Sequence, residues 1–169
     1  IAYLSYWDDG LVILDLGGAG KGGTPTAPAF VSRIYYPEGN THTAWRWKDY
    51  VFVGDEMFPS DWDISRPIAA RGFIHVIDVS DIENPVEVAK YEVPEAGAHN
   101  IWIDDDEETL YLAYYQAGLR ALDVSCFSLI ALSNALKDLF SPPASVVALS
   151  ISSTRLASDI GDPGLNAWI

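Results

Sequence analysis

One phrase recurs three times in this chain: GLVILDL at Gly10–Leu16, GFIHVIDVS at Gly72–Ser80 and GLRALDVS at Gly118–Ser125. Each copy is a glycine, four or five mostly apolar residues, then an aspartate and an aliphatic residue. Internal self-similarity on this scale marks stacked supersecondary units, and it restricts the fold more than any single motif. The repeat also runs beyond the phrase. Shifted by 108 positions, Ala2–Leu16 lies on Leu110–Val124 without a gap. Tyr3, Leu4, Tyr6, Gly10, Leu11, Leu14 and Asp15 are then matched by Tyr111, Leu112, Tyr114, Gly118, Leu119, Leu122 and Asp123, seven identities in fifteen positions. The middle copy is interrupted, because an insertion with Pro59, Asp61, Trp62, Asp63 and Pro67 separates Tyr50–Val53 from Gly72.

A second anchor marks where a unit begins. His42 opens HTAW and His99 opens HNIW, both His-x-x-Trp. A unit is thus a His-x-x-Trp strand, a turn, an apolar strand, a glycine turn, an apolar strand ending in Asp, and a connecting strand such as Val86–Val93. Val, Ile, Tyr, Leu and Trp fill the runs, and Gly, Asp, Asn and Pro separate them, which is strand-and-turn punctuation. The runs predict strands at Ala2–Tyr6, Leu11–Leu16, Phe30–Tyr36, Thr43–Trp47, Tyr50–Val53, Phe73–Val79, Val86–Val93, Asn100–Ile103, Leu110–Tyr115 and Leu119–Val124. Apolar residues on consecutive positions, as in Val12-Ile13-Leu14 and Val76-Ile77, predict strands buried on both faces, as in sheets stacked between like sheets.

After Ser125 the pattern stops. Residues 126–169 lose tyrosine and gain serine, and Leu129, Leu132, Leu136, Leu139 and Phe140 have helical spacing, which predicts a short helix over Ser128–Phe140 and one strand over Ser145–Ser152. This tail is either sequence unrelated to the repeat or an atypical terminal cap.

The Gly-apolar-Asp phrase followed by NP, together with AHNIWID and LYLAYYQAGLRALDVS, resembles the LVIVD repeat. The resemblance covers about residues 1–125 and implies an all-β fold, a partial β-propeller of four-stranded blades, in a secreted or cell-envelope protein. It implies no particular reaction. About two and a half units are present, fewer than the four blades a closed ring needs. Incomplete blades leave apolar faces that favour self-association. The chain opens at Ile1 in mid-strand without a methionine, from which the expectation is that its start is missing.

The formal net charge of −14 argues against nucleic acid or anionic membrane as a partner, since both are bound by basic surface. The single cysteine, Cys126, excludes an intrachain disulfide, and no apolar run is long enough to span a bilayer. Gly18, Gly20 and Gly23 form G-x-G-x-x-G after a strand, but Pro25 and Pro28 follow where a dinucleotide site needs a helix, so a flexible loop is expected. No G-x-S-x-G is present, so no catalytic nucleophile is assigned.

His42 and His99 occupy equivalent places in successive units, so with the His-x-x-Trp strand innermost both imidazoles are expected near one mouth of a propeller's central channel. Imidazole is the commonest metal-binding side chain, and Asp55 and Glu56 follow in the same unit as His42. The candidate divalent-metal set is therefore His42, His99, Glu56 and Asp55, against the plainer alternative that each histidine bonds backbone and fixes a turn. His75 has apolar neighbours and reads as a satisfied strand residue. Asp15, Asp78 and Asp123 read as turn-forming carboxylates, and the DDDEE run at Asp104–Glu108 as a hairpin turn. Long inserts in repeats collect on one face, so Asp61, Trp62, Asp63 and Arg66 are the candidate binding loop for a protein, glycan or small-molecule ligand. The leading expectation is a repeat scaffold that binds a partner; the alternative is a metal-dependent enzyme.

Overall fold

The computed structural model describes residues 1–58, 65 and 70–127. The expected tail elements and the candidate loop residues Asp61, Trp62, Asp63 and Arg66 lie outside those residues. The described chain is all-β, with ten strands: β1 (Ala2–Ser5), β2 (Leu11–Asp15), β3 (Ala29–Ile34), β4 (Thr41–Trp47), β5 (Tyr50–Asp55), β6 (Phe73–Asp78), β7 (Val86–Glu92), β8 (Ile101–Asp104), β9 (Thr109–Ala113) and β10 (Leu119–Asp123). Each of the ten runs read as strands between Ala2 and Val124 is one, with ends displaced by a residue or two. No helix among the described residues is long and apolar enough to cross a membrane.

The strands form three antiparallel sheets, ordered β1-β2-β3, β4-β5-β6-β7 and β8-β9-β10. Each is a meander of sequential neighbours. The middle sheet is one whole unit: the His-x-x-Trp strand, two apolar strands and the connecting strand. The first sheet has the last three strands of a unit and the third sheet has the first three. The 108-residue repeat persists at the level of register. Ser5 pairs with Leu11 and Ala113 with Leu119, and the remaining pairs of the two hairpins correspond in the same way. Gly10 and Gly118, the matched glycines before β2 and β10, both adopt left-handed φ, 75° and 71°.

Side chains alternate across a strand, so a strand covered on both faces must be apolar at every position. β5 meets this condition over Tyr50–Val53, and the strand is buried along its full length to Asp55. Its Tyr50 and Phe52 pack with Ile74, Val76, Ile101, Leu110 and Leu112 of the middle and third sheets. Its Val51 and Val53 face the other way and pack with Leu11, Ile13 and Ile77 of the first and middle sheets. β2 differs, with Leu11, Ile13 and Asp15 buried but Val12 and Leu14 only half-buried, because its second face meets no further sheet among the described residues. The sheets approach one another along β1, β4 and β8, with β4 beside both of the others. The candidate site lies at the start of β4 and β8.

Candidate metal centre

His42 is the second residue of β4, and His99 stands just before β8, where its N–H donates to the carbonyl of Ala113 on β9. Gly54 lets these segments meet. A β-carbon at position 54 would fall 2.8 Å from the Thr43 methyl and 3.1 Å from the His99 carbonyl oxygen. With glycine there, the imidazoles of His42 and His99 come within 4.2 Å, centroid to centroid, inclined at 44°. Glu56, just beyond β5, is buried and anchored by its N–H to the Asn40 carbonyl. Its carboxylate lies 3.1 Å from His42 Nδ1 and 3.6 Å from His99 Nε2. The Tyr115 hydroxyl donates to Glu56 Oε1. His42, Glu56 and His99 thus offer one donor atom each within 4.8 Å of one another.

The repeat accounts for this convergence in more detail than the two His-x-x-Trp anchors do. Leu11, Ile74 and Leu119 each stand four residues before the strand-ending aspartate, and they pair with Ser5, Gly54 and Ala113. Two residues further on, the same slot therefore holds Trp7, Glu56 and Tyr115. The two aromatic occupants behave alike: each is 41% exposed and each has left-handed φ, 45° at Trp7 and 31° at Tyr115. Each also presents an edge-on contact to one histidine, Trp7 to His42 with centroids 6.5 Å apart and Tyr115 to His99 at 5.5 Å. One carboxylate and two imidazoles consequently lie between two aromatic flanks.

Asp55 does not join this set. Successive side chains of an extended strand point to opposite faces, so Asp55 turns away from Glu56 into the protein. There it is fully buried, with Oδ2 2.6 Å from His75 Nε2 and Oδ1 3.5 Å from the Thr41 hydroxyl. The other ring nitrogen, His75 Nδ1, is 2.7 Å from Glu87 on β7. Tyr36 stacks on the imidazole at 4.3 Å. His75 is thus the satisfied strand residue expected, and its partners are two carboxylates brought in by the strand register. Burial opposes charge on this ring, but the hydrogen bonds and charges of Asp55 and Glu87 outweigh it and hold its pKa above the ordinary histidine value. Burial raises the Asp55 carboxyl, against the bonds from His75 and Thr41. A proton held along the Asp55–His75 bond satisfies both trends. Glu38 lies near enough to make a second group of potential ligands with Asp55 and His75. Its carboxylate already has the Lys90 ammonium at 2.7 Å, and both nitrogens of His75 are taken, so this group is an ion-pair network.

The glycine-rich loop closes around a carboxylate of its own chain. Buried Asp15 accepts N–H groups from Gly17 and Ala19 on Oδ1 and from Lys21 and Gly23 on Oδ2. The loop expected to be flexible is wound around that carboxylate, whose pKa these bonds, led by that from Ala19, hold well below the usual range. Asp78, Asp104 and Asp123 make the expected local turns through single carboxylate oxygens, for example 2.9 Å to the Ser80 N–H and to the Ser125 N–H. Cys126 is half-buried with its thiol pKa raised by burial, the opposite of an activated nucleophile.

No family model matches this chain, and no curated protein or solved structure matches it.

Proposed function

We propose that the chain is part of a β-propeller of LVIVD-like blades, and that this scaffold binds a divalent metal ion of zinc-like preference between His42, Glu56 and His99. One observation carries the metal reading: donors from two adjacent sheets converge within 4.8 Å on one another. Atoms held at about 2.0–2.2 Å from a tetrahedral ion are themselves roughly 3.4 Å apart. Glu56 Oε2 lies 3.1 Å from His42 Nδ1 and Glu56 Oε1 3.6 Å from His99 Nε2, so each oxygen stands near that spacing from one imidazole. Two imidazoles and one carboxylate suit zinc, and they also suit ferrous iron. Three protein ligands leave a coordination position for a water or a ligand, the arrangement of catalytic rather than purely structural zinc sites. That open position favours hydrolysis as a second reading over a purely structural ion.

The propeller reading draws support from the four-stranded sequential meander of the middle sheet, from its burial on both faces, and from the approach of successive sheets along β1, β4 and β8. The metal reading is tested by zinc titration of the 169-residue chain beside the His42→Ala/His99→Ala variant. Stoichiometric uptake by the parent chain, abolished in the double variant, is expected. Equal zinc content in both proteins rejects the site.

A further inference from the structure

We propose that the metal's open position takes a small carboxylate bearing an aromatic body, with the carboxylate on the ion and the ring against Tyr115 and Leu119. The inference rests on the metal reading above and adds the chemical class of the ligand. A divalent ion held by two neutral imidazoles and one carboxylate keeps a net charge of about +1. In a chain of net charge −14, that makes the site a local attractor for an anion.

The body of the ligand is argued from the cleft beside the site. His99, Ala113, Tyr115, Gly118 and Leu119 line it, and none except His99 can carry charge at neutral pH. Leu119 is 75% exposed, more than any other large apolar residue described, and it borders Tyr115 across the Gly118 turn. A mostly apolar wall touching a metal site on one side offers its main contact area to a ring. Trp7 and Tyr115 strengthen the argument. Non-glycine residues with left-handed φ are strained, and such strain persists where surrounding structure holds a side chain in a particular place. Here it recurs at two repeat-equivalent positions, each setting an exposed aromatic ring nearly perpendicular to the imidazole of one candidate ligand.

The test is calorimetric titration of the zinc-loaded 169-residue chain with benzoate and with acetate, repeated on metal-free protein and on Leu119→Ser. Burying most of a phenyl ring predicts benzoate tighter than acetate by on the order of tenfold. The preference shrinks to about threefold in Leu119→Ser as part of that apolar contact is lost, and neither acid binds without metal. Equal affinity of the two acids for the zinc-loaded chain overturns the ligand assignment and leaves the metal site standing. Benzoate binding that is as tight without metal overturns the anchoring of its carboxylate. Failure to take up zinc at all overturns the metal reading and this inference with it.

Discussion

His42 and His99 open strands in different sheets, yet their rings stand 4.2 Å apart with the Glu56 carboxylate reaching both. Replacing that carboxylate alone isolates its contribution. Glu56→Gln keeps the shape but loses the charge, and zinc affinity is expected to fall about a hundredfold, on the order of 3 kcal/mol. Competition titration with a chromophoric chelator measures it, and an unchanged constant removes Glu56 from the ligand set.

The buried Asp55–His75–Glu87 chain makes stability depend on pH. The folded-state pKa of His75 is raised, so its contribution is fully present below the ordinary imidazole range and is lost as pH rises through the raised value. Urea midpoints are therefore expected to fall on going from about pH 6 to alkaline pH. His75→Gln flattens that dependence, and His75→Ala, which leaves Asp55 buried without its partner, costs about 3–5 kcal/mol. A parent profile that rises with pH over the same interval contradicts the network.

Asp15 acts in the opposite direction. Its pKa is depressed by the N–H groups of its loop, so the stability it supplies is present above the ordinary carboxylate range and is lost as pH falls through the depressed value. Asp15→Asn offers one acceptor oxygen where two now serve four N–H groups. Residues Gly17–Gly23 are expected to be cleaved faster by a nonspecific protease in this variant, with no gain of affinity for nucleotides. Equal cleavage rates in limited proteolysis argue against the cradle.

The two repeat-matched glycines separate steric from conformational cost. At Gly118 a β-carbon meets nothing within 4 Å, so Gly118→Ala costs only the backbone conformation, φ 71° with ψ −148°, which is nearly confined to glycine, about 1–3 kcal/mol. At Gly10 it would fall 2.2 Å from the Ile34 carbonyl oxygen, so Gly10→Ala adds a backbone collision and is expected to be the more damaging change. Chemical denaturation of both variants gives the order, and an equal loss shows that β3 yields freely at that point.

Strand positions were legible because Gly10, Gly72 and Gly118 and the matching aspartates punctuate apolar runs that have nowhere to go but a sheet. His42 and His99 were legible as repeated anchors, and Glu56 as a nearby carboxylate. Whether Asp55 or Glu56 turns toward the histidines depends on where β5 ends, since one residue reverses the face, and a strand boundary is the least certain part of any sequence reading. The partners of His75 lie 20 and 12 residues away on β5 and β7, so they emerge only from cross-strand register. The shared slot of Trp7, Glu56 and Tyr115 was hidden by the insertion after Met57, which shifts the spacing of the middle unit. A signal existed in the 108-residue offset, which pairs Trp7 with Tyr115 directly.

Zinc-edge anomalous diffraction from crystals of the 169-residue chain grown with zinc locates the ion itself. An anomalous peak is expected about 2.0–2.2 Å from a nitrogen of His42, a nitrogen of His99 and an oxygen of Glu56. A well-diffracting crystal with no peak there, or with zinc bound only at other carboxylates, contradicts the metal site.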